Sequence, residues 1–341
     1  MAGRGAGAVG NVTRIAAIDG LDPQRYERHA LHAADRAWVE KNCYIDIWIE
    51  LVHALGCEPM AMMPFALAID FEGDQWTFFK PSHDELYELY GIDVQELNPW
   101  RPLLEHAERY VADGKLVSSE ADAHWLPDTS GTDYRRAHTK TTIVITELDV
   151  KARRLGYFHN AGYYELDGED FVQTFRVDFP EDPEHMPFYV EAIRKDRLVH
   201  RPRGELTGMA LGLLRKHLAR RPADNPVARF GAQLADDVGT LSAQGLDVYH
   251  QWAFATLRQL GAAFESVALC LRWIADERSA MTGLAPAAEA FDEISDRAKV
   301  LLLKAARAVN RKRALDVADD VAVMTEAWQQ GMDRLDDEVG K

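Results

Sequence analysis

The chain has 341 residues, of which 47% are hydrophobic and 28% charged, and 39 Lys and Arg stand against 55 Asp and Glu for a formal net charge of −16. Two folded globular domains are the expectation, and the acidity excludes a general nucleic-acid binder held by phosphate neutralisation. Three cysteines, Cys43, Cys57 and Cys270, are too few for a disulfide framework or a four-cysteine zinc site, which points to a reducing cytoplasm.

Residues 1–25 begin with Gly and Ala where a signal peptide needs an apolar segment, and read as a flexible arm. The longest apolar stretch, residues 61–69, is broken by Pro64 and falls short of the ~20 residues that cross a bilayer, so no membrane association is expected. Over residues 43–55, Ile47, Leu51 and Leu55 have helical spacing, with Asn42 as N-cap and Gly56 as terminator. Cys43 therefore falls in the first helical turn. The segment DFEGDQWTFFK at 70–80 reads as an acidic turn and a short strand over 76–80, with Trp76 and Phe78 packed inward. Its carboxylates Asp70, Glu72 and Asp74 lack the glycine placement and downstream glutamate of an EF-hand, and calcium is discarded.

Residues 82–90 and 99–112 predict helices and 116–120 a strand. Residues 141–148, rich in β-branched side chains, and 155–159 predict a hairpin that turns near Val150 or Lys151. Past the charged segment 194–204 the texture becomes helical: Leu206, Met209, Ala210, Leu213, Leu214 and His217 recur at steps of three and four. Asn225-Pro226, Gly245 and residues 283–286 divide this part into four or five helices. The resulting organisation is an α+β domain over 26–200 followed by an α-helical domain over 201–341.

A thiol at a helix N-terminus meets the positive end of the helix dipole and backbone N–H groups, which favour thiolate and stabilise an oxyanion beside it. Cys43 is thus the candidate nucleophile, with burial in packing as the bland alternative that Cys57 and Cys270 follow. His138, just before the strand at 141–148, is the candidate base. The hairpin brings residue 160 back near residues 140–142, so Asn160 is placed to orient that imidazole, with His159 on the opposite face. Cysteine, histidine and asparagine in this order make a papain-type arrangement. Cys43 and His138 are expected to face one cleft. His53 lies about 15 Å along the helix from Cys43 and cannot serve it. His29, His32, His83, His106, His185, His200, His217 and His250 read as surface or packing residues.

Asp122, His124, His138 and His159 offer oxygen and imidazole donors, but no compact metal-binding motif joins them, and no resident metal is expected. Arg311, Lys312 and Arg313 form the densest basic group, and Arg215, Lys216, Arg220 and Arg221 a second. On so acidic a chain, clustered cations are a natural dock for an acidic partner, or otherwise only a solvated helix face. Trp252, Phe264 and Trp273 are candidates for packing the helical part against the first half.

The segments NCYIDIWIELVHALG, DFEGDQWTFFK, YRRAHTKTTIVITELD and LGYFHNAGYYEL, with GAAFESVALCLRWI and LLLKAARAV further on, resemble a bacterial family of unknown function. Its members are often encoded beside amino acid:carrier-protein ligases and small carrier proteins. Over about residues 42–160 the chain also resembles the BtrH-like acyltransferases of butirosin biosynthesis, whose N-terminal domain is papain-like and whose C-terminal domain is helical. Asn42-Cys43, Asp122 with Leu126-Pro127, and His138 stand in matching places. Thr141 replaces a second histidine that is common there, and Ala37 stands where papain-like enzymes often carry an oxyanion glutamine, a part that would fall to Asn42 or a backbone N–H.

These resemblances imply a cytoplasmic acyltransferase that takes an aminoacyl or related group from phosphopantetheine on an acidic acyl carrier protein to an amine. Cys43 attacks, His138 handles the proton and Asn160 holds the imidazole, while Asn42, Asp122 and His159 line the cleft. The chain itself binds no cofactor in this reading, and an amino acid:carrier-protein ligase is a possible further partner. A non-catalytic papain-like docking module and a thiol hydrolase are the alternatives.

Overall fold

The computed structural model describes residues 14–180 and 188–340. They form two compact units that the chain enters alternately: a sheet unit of residues 14–27 and 93–196, and a helical unit of residues 28–92 and 197–340. Mixed helix and strand in the first half and helices in the second agree with the sequence patterns.

The sheet unit holds seven antiparallel strands: β1 (Ile15–Ala16), β2 (Asp93–Leu97), β3 (Leu116–Asp122), β4 (Lys140–Asp149), β5 (Arg154–His159), β6 (Gly162–Asp167) and β7 (Val190–Arg194). The order is β2-β7-β3-β4-β5-β6, and β1 pairs with β4 through Ile15 opposite Leu148 and Ala16 opposite Glu147. Residues 15–16, expected to be part of an arm, are therefore a strand, while residues 1–13 lie outside the described residues. Strand β4 is buried from Ile143 to Asp149, including the polar Thr146, Glu147 and Asp149, as befits a central strand with neighbours on both edges. The hairpin turns at residues 150–153, with Val144 opposite Phe158 and Ile145 opposite Tyr157. Of the helices in this unit, α3 is Leu103–Ala112 and α4 is Gly168–Phe175. The helix expected from residue 99 starts only at 103, because Pro102 at the cap position lacks a backbone N–H and holds extended geometry (ψ 138°).

In the helical unit, α1 (Cys43–Ala54) precedes a 3-10 helix at Pro59–Ala68 and α2 (His83–Tyr90). After residue 196 come α5 (Arg203–Leu218), α6 (Pro226–Gln244), α7 (Leu246–Ala253), α8 (Gln259–Glu277), α9 (Leu284–Arg311) and α10 (Ala318–Val339). A π-helical turn at Phe254–Arg258 joins α7 to α8 without a break, so five continuous helical runs follow residue 196, within the four or five that the sequence suggested. Helix α8 is buried almost all round, which suits the mainly apolar run from Leu260 to Leu271. The 3-10 helix packs against α5 and α8, so the apolar faces of the C-terminal helices close partly on first-half residues. Trp38 Nε1 donates to Ser295 at 3.0 Å across the same join. Of the aromatics expected at that join, Trp252 stacks with Phe230, which also packs on Phe71 and Trp76, whereas Phe264 stacks with Phe291 of α9.

The strand expected over 76–80 is absent. Trp76 forms an isolated bridge to Phe71 and gives its backbone N–H to Ala255 of the π-turn at 3.1 Å, so its hydrogen bond goes to a helix rather than a ladder. Trp76 is buried as expected, but Phe78 is 46% exposed and Phe79 takes the inward place. Two passages of chain run together where the helical unit is interrupted. Val199 N donates to the Tyr90 carbonyl at 2.9 Å, and Arg201 Nε to the Leu89 carbonyl at 3.0 Å. Gly91, with φ +70°, leaves no room there: a Cβ would sit 1.9 Å from the Arg197 carbonyl oxygen.

Candidate active site

Cys43 opens α1 because Asn42 keeps extended backbone (φ −147°, ψ 158°) and its Oδ1 accepts the backbone N–H groups of Tyr44 and Ile45 at 3.2 and 3.0 Å. The Nδ2 of the same side chain donates to the Phe79 carbonyl at 3.0 Å and to Gln259 Oε1 at 3.3 Å. Both amide protons are spent, so Asn42 caps and clamps the helix rather than supplying an oxyanion donor. Arg258 holds the approach to the helix, donating from Nε to the Lys41 carbonyl and from Nη2 to the Glu40 carbonyl, each at 2.9 Å. Arg258 and Gln259 stand at the end of the π-turn, where the widened coil re-aims the side chains that follow. Sequence reading had no signal for either, since a π-turn leaves no pattern in residue spacing.

Beneath this helix start is a buried ionic network. Lys41 is fully buried and donates from Nζ to the Leu31 and Trp38 carbonyls at 2.9 and 3.2 Å; burial pushes its ammonium below the usual lysine range. His32, read from sequence as a surface or packing residue, lies between two buried carboxylates, with Nε2 2.9 Å from Asp46 and Nδ1 against Glu50. Burial disfavours its charged form, but the hydrogen bonds to Asp46 and Glu50 outweigh that and raise its pKa. The Asp46 and Glu50 pair, four apart on α1, was the available sign that something cationic fills the space between them.

The cysteines differ in setting. Cys43 is half-buried at the helix start. Cys57 is half-buried with its thiol pushed up by burial, and Cys270, 1% exposed, is pushed up further by the same cause.

In the sheet unit, His138 stands two residues before β4 with its side chain 69% exposed and Nδ1 2.5 Å from Asp122 Oδ2. The other Asp122 oxygen accepts the backbone N–H of His124 at 3.0 Å, which fixes the carboxylate at the end of β3. His124 stacks on His138 with ring centroids 4.2 Å apart and planes 10° from parallel. The partner of His138 is therefore Asp122, not Asn160. Asn160 follows the last residue of β5 in a left-handed conformation (φ 45°), which asparagine tolerates, and serves the turn into β6. His159 is buried and bonded at both ring nitrogens, Nδ1 2.5 Å from Asp128 Oδ2 and Nε2 2.8 Å from Thr141 Oγ1. Asp122, His138 and His159 thus fall in the sheet unit and Cys43 in the helical unit. Among the described residues no group of three or more His, Cys, Asp or Glu side chains is arranged to hold a metal ion. No helix among them is long and apolar enough to cross a membrane.

The two basic groups lie at opposite ends of α10. Arg215 Nε donates to the carbonyl of Val339 at its C-terminus, whereas residues 311–313 lie at the end of α9 and stop four residues short of the N-terminus of α10 at Ala318. A helix of 22 residues separates them by about 33 Å. Lys216 is paired with buried Glu85 at 2.9 Å and Arg221 with Asp336 at 2.6 Å, so most of that group ties the helices together. Arg311, Lys312 and Arg313 are exposed and form no ion pair among the described residues.

Residues 27–195 match the N-terminal domain of the DUF1839 family and residues 203–337 its C-terminal domain. The chain belongs to this family, whose function is uncharacterised. No curated protein matches it.

Proposed function

We propose that the protein is a cysteine-dependent acyltransferase with a papain-like ancestry, which takes an aminoacyl or related acyl group from a carrier-protein phosphopantetheine thioester and gives it to an amine. The observation that carries this reading is the seat of Cys43 as the first residue of α1, behind a fully engaged asparagine cap. Its Sγ forms a bond to the thioester carbon, the bond from that carbon to the phosphopantetheine sulfur breaks, and the departing thiolate takes a proton. The amine then attacks the acyl carbon, the bond from that carbon to Sγ breaks, and the proton that the amine loses passes by way of the base to the Cys43 thiolate. Asp122 and His138 are the groups suited to the proton transfers: the carboxylate fixes the Nδ1–H tautomer and leaves Nε2 of an exposed imidazole for exchange. Asp122 replaces Asn160 as the orienting group. Thioester exchange is nearly isoenergetic, so positioning and oxyanion stabilisation suffice.

The partner in this reading is an acidic carrier protein in the cytoplasm, met by Arg311, Lys312 and Arg313, with a carrier-protein ligase as the source of its acyl group. The test is incubation with aminoacylated carrier protein followed by intact-mass analysis. An acyl adduct on the wild type that is lost in Cys43→Ser supports the reading, and no adduct under single-turnover conditions overturns it. A second reading, a non-catalytic docking module, is favoured by the full engagement of the Asn42 amide beside Cys43, which leaves that side chain no donor for an oxyanion. It predicts carrier-protein binding without an adduct.

A further inference from the structure

Three side chains from three separate elements of the sheet unit form one hydrogen-bonded chain. Thr141 is the second residue of β4, His159 the last of β5, and Asp128 the middle residue of a short 3-10 turn at Pro127–Thr129. Thr141 Oγ1 lies 2.8 Å from His159 Nε2, and His159 Nδ1 lies 2.5 Å from Asp128 Oδ2. The remaining Asp128 oxygen accepts the hydroxyl of Tyr157. Burial first, and the Asp128 charge second, hold that phenol well above its usual range, so it is a fixed donor. With Asp128 accepting on both oxygens, neutral His159 carries its proton on Nδ1 and offers Nε2 to the threonine hydroxyl.

Other buried threonines of this unit do not use a histidine. Thr146, on the same strand, donates to the Gly156 carbonyl at 3.2 Å, and Thr129 donates to the Ala123 carbonyl at 2.9 Å. Thr141 is instead seated on an oriented base. Thr141 is 6% exposed, and the three residues before it, His138, Thr139 and Lys140, are all exposed, so the residue lies where its strand leaves the surface and enters the core.

We propose that Asp128, His159 and Thr141 form a second catalytic site, with the Thr141 hydroxyl as nucleophile toward activated acyl esters and thioesters. The Thr141 oxygen forms a bond to the acyl carbon while its proton passes to His159 Nε2. The tetrahedral intermediate then expels the alkoxide or thiolate, which takes that proton. In the second half, water attacks the threonyl ester, gives a proton to His159, and releases the acid as Thr141 regains its hydrogen. The sum is ester or thioester plus water giving acid plus alcohol or thiol, with no other reactant. This activity does not depend on Cys43.

The experiment uses the full chain with a fluorophosphonate probe, located by peptide mass analysis, and 4-nitrophenyl acetate as a turnover substrate. The expected result is a phosphonate on Thr141, formed at least 100-fold more slowly in His159→Gln and not at all in Thr141→Val. Thr141→Ser keeps the hydroxyl in place and is expected to be labelled at Ser, which guards against loss of label through misfolding. Absence of label at residue 141 in both wild type and Thr141→Ser overturns the proposal, as does equal labelling in a folded His159→Gln protein. Neither result bears on the carrier-protein adduct at Cys43, so the two readings fail separately.

Discussion

Asp122 holds His138 from one oxygen at 2.5 Å while its other oxygen is fixed by the backbone of His124. The imidazole thus has a set tautomer although its side chain is mostly exposed. An exposed histidine with only solvent for company has no such preference.

If this pair moves the proton in acyl transfer, His138→Ala should slow single-turnover acylation of Cys43 by about 10²-fold, the lower end of what general acid–base groups supply. Asp122→Asn should slow it less and should leave the melting temperature within a few degrees of wild type. Rapid-quench mass analysis reads the rate, and an unaltered rate in His138→Ala removes His138 from the mechanism.

Thiol reactivity should separate the three cysteines. At pH 7.5 iodoacetamide should modify Cys43 first, Cys57 more slowly because burial raises its thiol pKa, and Cys270 only on unfolding. Peptide mapping over a time course checks the order, and Cys57 reacting first would speak against an activated Cys43.

The His32 network makes a pH-dependent contribution to stability. Because the folded pKa of His32 is raised above 6.5, its contribution is fully present below about pH 6.5 and is lost as pH rises through the folded value. His32→Gln leaves Asp46 and Glu50 without their cation and should cost about 3 kcal/mol at pH 6. Urea melts at pH 6 and pH 9 should show the gap between variant and wild type narrowing at the higher pH.

Reversal of charge should act differently in the two basic groups. Arg311→Glu with Arg313→Glu changes exposed side chains, so it should slow carrier-protein association at low salt and leave the melting temperature alone. Lys216→Glu sets a second carboxylate beside buried Glu85, and should lower the melting temperature instead. Surface plasmon resonance at two salt concentrations, with thermal melts, distinguishes them. Equal association by the Arg311 and Arg313 variant reduces that group to a solvated helix end.

Local patterns carried much of the structure into the sequence. Asn42 and Gly56 mark the ends of α1 correctly, and the β-branched run at 141–148 marks the central strand with its hairpin. Helix breaks at Asn225-Pro226, Gly245 and residues 283–286 were equally readable. What was hidden depends on distant partners. Trp76 looks like strand because aromatic residues favour strands, but its backbone bond goes to Ala255, 179 positions on. Nothing local marks the passage from helical to sheet unit after Ile92, because α2 ends on an ordinary left-handed glycine. At the candidate site, the position of His138 was legible from the strand that follows it. Its pairing with Asp122 was not, because that contact is set by the β3–β4 register.

The close passage of residues 89–91 against residues 197–201 brings the two chain segments of the helical unit together. These segments meet at a point where Gly91 and the Arg197 carbonyl nearly touch, so the chain leaves the helical unit after Ile92 and re-enters it at Arg197 through adjoining ends. A short peptide spanning Ile92 to Arg197 recloses that unit with little added loop entropy.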